Sequence, residues 1–236
     1  MEVVRKTIFI TGIARGLGHE LFLYAIEKGY RVCGLVRKEE SIALLNQYAS
    51  EHVKLIAADL SDDASMEQIR TIVGNERIDL LINNAGIGGE TFTLDTVTPG
   101  EVMELLNIHC LGVLRVTKAL VGNLQNSDRP IVLNMNSRFG SLAYQYNGMF
   151  KHLDVSYSYR IAKAAQNMLT NCLRNELGDR IEFVSVTPGK LITRLAQKDA
   201  QLSPAEAAQN IIDFWEQGLF KTENGIVQVK GDLTPW

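Results

Sequence analysis

Tyr159 and Lys163 stand four residues apart in the stretch Ser156-Tyr157-Ser158-Tyr159-Arg160-Ile161-Ala162-Lys163. On a helix of ~3.6 residues per turn that spacing brings both side chains to one face as neighbours. A free phenol titrates near pH ~10, and an ammonium beside it favours the phenolate. The pair therefore reads as a tunable proton donor for acid and base catalysis. The same spacing also suits a partly buried Tyr beside a solvated Lys, and only the surroundings separate the two readings.

The elements that must position the pair follow from hydropathy. Short runs rich in Val, Ile and Leu recur at Thr7 to Ile10, Arg31 to Val36, Val53 to Ala57, Leu80 to Asn83, Ile131 to Asn134, Phe183 to Val186 and Ile226 to Val229. Between them lie segments of helical period, among them Glu20 to Lys28, Met66 to Val73, Pro99 to Leu124, Tyr157 to Leu177 and Ser203 to Gln217. Apolar strands alternating with helical crossovers predict a doubly wound parallel α/β sheet of about seven strands, covered on both faces. Ser203-Pro204-Ala205-Glu206 reads as a helix start with a capping box. No repeat and no Gly, Pro or Ser-rich linker divides the chain, so residues 1–236 are expected to form one domain.

Composition narrows the function classes. With 236 residues, 46% hydrophobic and 22% charged, the chain suits a soluble domain with a substantial core. A net charge of -3 and scattered basic residues give no electrostatic reason to expect nucleic acid or an anionic membrane as partner. The apolar run Ile8-Phe9-Ile10 is too short for a signal peptide core or a membrane span, so a cytoplasmic protein is expected. Cys33, Cys110 and Cys172 are far apart and unaccompanied by clustered His, which suggests buried free thiols and no metal site.

Directly after the first apolar run comes Thr11-Gly12-Ile13-Ala14-Arg15-Gly16-Leu17-Gly18, and a helix is expected to begin near His19 or Glu20. Glycines at 12, 16 and 18 suit a turn that lets backbone approach a pyrophosphate and lets the helix pack close to the strand, as in a Rossmann fold.

At this point the chain resembles the short-chain dehydrogenase/reductase family, whose glycine motif is Thr-Gly-x-x-x-Gly-x-Gly. Further matches run in order: Asp59-Leu60 after the third strand, Asn83-Asn84-Ala85-Gly86 after the fourth, Asn107 in a helix, Ser137 after the fifth strand, Tyr159 with Lys163, and Pro188-Gly189 with Thr193 beyond. Within the family the nearest likeness is to carbonyl reductases of the Sniffer and C-factor type. It rests on Tyr157-Ser158-Tyr159-Arg160, the segment Leu202 to Ala208 and the final Pro235-Trp236.

The resemblance implies a site. Thr11, Gly12, Arg15, Gly16, Leu17, Gly18, Asp59, Leu60, Asn83, Ala85, Gly86, Pro188, Gly189 and Thr193 would bind a nicotinamide dinucleotide, together with Tyr159 and Lys163. Tyr159 would be the general acid and base, and Ser137 would hold the substrate oxygen. Lys163 would grip the nicotinamide ribose and, with the charge of oxidised nicotinamide, lower the Tyr159 pKa, while Asn107 would support a water that connects Lys163 to solvent. The stretch after the second strand, Leu35-Val36-Arg37-Lys38, is basic where NAD-binding members present an acid. Arg37 is suited to fork onto a 2′-phosphate and Arg15 resembles a second basic residue, so NADP(H) is expected over NAD(H).

Several positions suit more than one reading. The separation of Ser137 from Tyr159 exceeds the family's usual one, which makes Ser141 a rival for the serine role. Aromatic residues between Tyr144 and His152 suit either a substrate pocket or an anchored surface excursion. The polar Leu191 to Leu202 stretch resembles a mobile substrate loop. His109, within an apolar helical run, reads as a satisfied core residue. The partner is expected to be a small carbonyl or alcohol, and the two long helices suit pairing into a homodimer or homotetramer. An NADPH-binding regulator or a signalling protein with little turnover is the alternative.

Overall fold

The computed structural model describes residues 5–191, 202–220, 225–229 and 233–236. Seven parallel strands form one sheet in the order β3-β2-β1-β4-β5-β6-β7. They are β1 (Thr7–Thr11), β2 (Arg31–Val36), β3 (Val53–Ala57), β4 (Leu80–Asn83), β5 (Ile131–Met135), β6 (Glu182–Thr187) and β7 (Val227–Gln228). The helices are α1 (Gly16–Glu27), α2 (Glu39–Leu45), α3 (Ala64–Val73), α4 (Pro99–Leu106), α5 (Gly112–Gln125), α6 (Leu142–Tyr146), α7 (Tyr157–Leu177) and α8 (Pro204–Glu216).

Alternation along each strand sends apolar side chains to two cores, one per face of the sheet. Ile8 and Ile10 of β1 meet Leu21 and Phe22 of α1 and Ile211 and Trp215 of α8. Phe9, between them, joins Ile69 of α3 and Leu120 of α5 on the other face. The strands are apolar throughout because both faces are covered. Strand order reverses between β1 and β4, which opens a crevice at the carboxyl ends of the strands, the place where such sheets hold ligands.

Two elements depart from the periodicity. Helix α1 begins at Gly16, one turn earlier than His19 or Glu20, because positive φ at Gly12 (78°) and Gly16 (59°) turns the chain straight from strand into helix. The Pro99 to Leu124 segment is interrupted by a π turn at Asn107–Leu111, where the Gly112 N–H donates to the Asn107 carbonyl. Pro99–Gln125 has the length and hydropathy of a membrane span, and here it packs against α3 and α7. The capping box of α8 is present, with Ser203 Oγ accepting from Glu206 N and Glu206 Oε2 accepting from Ser203 N.

Candidate active site

Helix α7 carries the site and is anchored at its start. Ser156 caps it, its Oγ accepting from Tyr159 N at 3.2 Å, which fixes Tyr159 in the first turn. Ser158, beside it, donates to Glu101 of α4 at 2.8 Å, and Glu101 also accepts from Glu90 N at 2.7 Å. These bonds hold its carboxyl below the usual carboxylate range, the Thr91 hydroxyl contributing most. The start of α7 is thereby tied to α4 and to the loop after β4.

One turn on, Lys163 is buried, with its Nζ 5.7 Å from the centre of the Tyr159 ring. Nζ donates to the Met135 carbonyl at 2.6 Å and to Gln166 Oε1 at 3.2 Å. Burial pulls its pKa down to about 7. Asn136 locks the same region, donating to the Lys163 carbonyl at 3.1 Å and accepting from Ser137 N at 2.6 Å. Gly140 also packs against Lys163: a Cβ there would stand 2.8 Å from the Lys163 carbonyl carbon.

Tyr159 departs from the expected direction. Burial of its phenol pushes the pKa up to about 12, against a smaller lowering by the Ser137 hydroxyl, and Lys163 does not offset the rise. Without a cofactor the phenol is therefore a firmly protonated donor. Ser137 follows β5 at the carboxyl edge and Ser141 lies beyond it, where its Oγ caps α6 by accepting from Tyr144 N at 3.1 Å. Ser137 is the serine whose hydroxyl acts on Tyr159. The intervening aromatics are largely anchored: Phe139, Tyr144 and Phe150 meet edge to face, with Phe150 buried, while Tyr146 is exposed.

The residues read as cofactor ligands separate into two groups. Some are spent on building the turn. Thr11 is buried, and its Oγ1 accepts from Asn84 N at 3.0 Å and from Ala85 N at 2.9 Å. Asn83 is buried in the sheet, donating to Asn134 Oδ1 at 2.8 Å. Leu17 and Leu60 are buried apolar side chains. A Cβ on Gly18 would stand 2.2 Å from the Gly12 oxygen, so that glycine permits close packing of helix and strand. A Cβ on Gly12 would come 2.9 Å from Ala85 Cα.

Others face the crevice. Gly16 has open space around it, and α1 starts without an acidic first turn or a side-chain cap at its exposed N-cap, Arg15. Free N–H groups of that kind suit a pyrophosphate. Arg37, Asp59 and Ser61 line a cavity of about 560 Å³ with Ile87, Asn107 and Leu111. Asp59 lies below the usual carboxylate range, chiefly through the Ser61 N–H, with Arg37 adding a smaller pull. Its oxygen accepts from Ser61 N at 2.9 Å. Pro188 is half-buried and Gly189, at φ 96°, follows β6 on the same edge. Gly86 lies against His109: a Cβ at Gly86 would stand 2.5 Å from the His109 Cε1. These features fit a dinucleotide laid across the edge. Thr193 and most of the Leu191 to Leu202 stretch fall outside the described residues.

Asn107 is bonded on several sides. Its Nδ2 donates to the Ser61 carbonyl at 2.9 Å, its Oδ1 accepts from Arg115 at 2.8 Å, and its carbonyl accepts from Gly112. Those bonds place it with the Arg37 and Asp59 half of the crevice and spend one of its two Nδ2 N–H groups. The π-turn residue that meets Tyr159 is His109, two positions on, with ring centres 5.5 Å apart and planes at 90°. Sequence reading made it a satisfied core residue, yet its buried Nδ1 has no hydrogen-bond partner among the described residues. Apolar neighbours hid it, and the π turn that selects it leaves no residue-type signal. The thiols also differ from expectation, since Cys33 is buried but Cys172 is exposed.

Comparison with known proteins decides the family. The short chain dehydrogenase family matches residues 6–203. The chain belongs to that family. Among relatives, the C-signal protein of Myxococcus xanthus is 31% identical over 174 residues, covering 72% of this chain and 100% of the relative. The NADPH-dependent pterin aldehyde reductase of Arabidopsis thaliana is 25% identical over 197 residues, covering 82% and 78%. In fold, the NADPH-bound carbonyl reductase from chicken fatty liver superimposes with a TM-score of 0.85 at 20% identity, covering 98% of this chain and 99% of that one. The Sniffer carbonyl reductase of Drosophila melanogaster gives 0.83 at 22%, covering 98% and 100%. This short chain dehydrogenase is thus an oxidoreductase with the sheet and crossovers of its family.

Proposed function

We propose that this short chain dehydrogenase reduces a ketone, aldehyde or quinone to the alcohol with NADPH, and runs the reverse oxidation, with Tyr159 as general acid and base. The observation that carries the reading is the convergence of Tyr159, Lys163 and Ser137 at the carboxyl end of β5, on the same edge as the glycine turn after β1. Arg37 beside Asp59 and the exposed Arg15 at the start of α1 support a 2′-phosphate on the cofactor. The names of the pterin aldehyde reductase and of the chicken carbonyl reductase point the same way.

When bound, the dinucleotide supplies the hydride, and the chain supplies orientation and a proton. The Tyr159 phenol, protonated well above neutral pH, gives its proton to the carbonyl oxygen as the alcohol forms. Ser137 donates a hydrogen bond to the same oxygen, strongest as negative charge grows on it. Lys163 would hold the ribose, and its charge together with that of the oxidised nicotinamide would favour the tyrosinate that remains. Gly12, Gly16 and the first turn of α1 hold the pyrophosphate.

Substitution of Tyr159 by Phe tests the reading. Turnover of NADPH against a panel of aldehydes, ketones and quinones is expected to fall by about 10²-fold or more, the scale of general acid loss. NADPH affinity, read by fluorescence, is expected to hold. Undiminished turnover would remove Tyr159 from the chemistry.

A further inference from the structure

Arg138 follows Ser137 directly, and the proposed reaction gives it no task. Its guanidinium rests over two aromatic rings, 5.3 Å from the centre of Phe139 and 5.4 Å from that of Phe150. The rings are fixed in turn, with centres 4.8 Å apart and Phe150 buried. A guanidinium held by cation–π contact keeps its N–H fork for another partner. Here that fork is unspent. Although Arg138 is half-buried, its guanidinium has no hydrogen bond and no ion pair among the described residues. A charge drawn partly out of water without a counterion carries a cost that an anionic ligand would relieve.

The segment is fastened beside the reacting groups. Ser137 Oγ accepts from Phe139 N at 3.3 Å, so the residue that bears the first ring is tied to the serine that acts on Tyr159. Gln145 Nε2 donates to the Phe139 carbonyl at 2.8 Å, and its Oε1 accepts from Arg160, the neighbour of Tyr159, at 3.4 Å. Arg160 also donates to the Val155 carbonyl at 2.7 Å, and its buried Nε has no partner among the described residues. Charge agrees with this placement. From Ser137 to Arg160 the chain carries Arg138, Lys151 and Arg160 against the single acid Asp154, in a protein of net charge -3. A local positive field of that kind draws anions.

We propose that Arg138 is a specificity-determining residue: its guanidinium takes the carboxylate of a substrate whose carbonyl oxygen is held by Ser137 and Tyr159. The substrate class is then an aldehyde or ketone that carries a carboxylate a few bonds from the reacting carbon. Consecutive Cα atoms are ~3.8 Å apart, so Ser137 and Arg138 can hold two ends of one small molecule. A planar fork pairs with a carboxylate through two parallel N–H···O bonds, which orients the carbonyl as well as placing it. The rings beneath keep the fork preorganised, so little side-chain freedom is lost on binding. The inference rests on the proposed carbonyl reduction.

The test compares two pairs of substrates with NADPH: 4-formylbenzoate with its methyl ester, and 4-oxopentanoate with its methyl ester. Wild-type kcat/KM is expected to favour the anion about tenfold or more in at least one pair, the scale of a charged hydrogen bond. Arg138→Met keeps an apolar stem on the rings and should lower that ratio about tenfold or more, mostly through KM. Arg138→Lys keeps the charge without the fork and should lie between. Calorimetric binding of the product hydroxy acids, 4-(hydroxymethyl)benzoate and 4-hydroxypentanoate, to the NADP+ complex reads the same contact without turnover. The tighter of the two is expected to weaken about tenfold in the Met variant. Thermal denaturation checks folding; should the Met variant not fold, Arg138→Gln takes its place with the same expectation. Equal kcat/KM for anion and ester in both pairs, or a ratio that Arg138→Met leaves unmoved, would overturn the proposal. If Tyr159→Phe is inactive while Arg138→Met keeps the wild-type ratio, only the role of Arg138 fails. If Tyr159→Phe is fully active, the function reading itself fails, and the calorimetric comparison still decides whether Arg138 holds the anion.

Discussion

The ammonium of Lys163 donates to the carbonyl of Met135 at 2.6 Å, so the helix that bears Tyr159 is bolted to the last residue of β5. The neighbouring Asn83–Asn134 pair extends the connection: Asn134 donates to Thr170 of α7 at 2.8 Å, and Ser185 of β6 donates to the same hydroxyl at 3.3 Å. Two strands therefore bond one helix directly, with β4 joined to them through Asn83, and low dielectric strengthens such buried bonds when each is satisfied.

Under the proposed function, Lys163→Ala would remove both a cofactor grip and a catalytic charge. NADPH affinity is expected to weaken by about tenfold or more, the scale of a lost charged hydrogen bond, with turnover falling further. Because burial sets the Lys163 pKa at about 7, the ammonium fraction falls as the pH rises from 7, and wild-type affinity for the anionic dinucleotide should fall with it. Calorimetric titration at several pH values reads both effects, and a pH-independent affinity in the wild type would contradict the assignment.

Arg37→Asp places a carboxylate beside Asp59 at the mouth of the cavity. The ratio of kcat/KM for NADPH over NADH is expected to drop by about tenfold or more, through loss of the 2′-phosphate partner and new repulsion. An unchanged ratio would show that Arg37 does not touch the cofactor.

Gly18→Ala probes the packing of the glycine turn. The added methyl would sit 2.2 Å from the Gly12 oxygen and 2.4 Å from Asn84 Nδ2, both fixed by the turn. Overpacking of this kind costs about 1–3 kcal/mol. Denaturant unfolding should show that loss together with weaker dinucleotide binding, and full stability would mean the α1 start is softer than its contacts indicate.

His109 links stability to acid. Its pKa is held at about 3, chiefly by burial and secondarily by Lys163, with the Ile87 carbonyl pulling it upward, against 6.5 when free. Between those values the unfolded chain binds a proton that the folded chain refuses, so stability falls as the pH drops through the window. Urea unfolding between pH 6.5 and 4 should show a steeper loss for wild type than for His109→Gln, by up to roughly 1.4 kcal/mol per pH unit. Parallel slopes would place the imidazole in contact with solvent.

Strand positions were legible because burial on both faces writes continuous apolar runs, and Tyr157 to Leu177 matches α7 end to end. Helices α2 and α6 were not. Glu39–Leu45 buries only Leu45, and Leu142–Tyr146 buries none of its side chains, so neither writes a period. The glycine turn announced itself through Gly12, Gly16 and Gly18, whereas the start of α1 at Gly16 reflects backbone angles that residue type leaves unstated. The choice between Asn107 and His109 was beyond sequence for a related cause. Both are polar residues in one apolar helical run, and only the extra residue of the π turn decides which of them meets the phenol.

That extra residue has a consequence for helix phase. An α-helix advances by ~3.6 residues per turn, so one inserted residue rotates everything downstream by about 100°. Upstream of the insertion the rod is phased to α7, and downstream it is phased to α3, so Pro99–Gln125 serves two neighbours whose demands no uninterrupted helix would meet. Shortening Asn107–Leu111 by one residue would force a choice between them, turning either the α4 face off α7 or the Val116 and Leu120 side chains out of the core beneath the sheet.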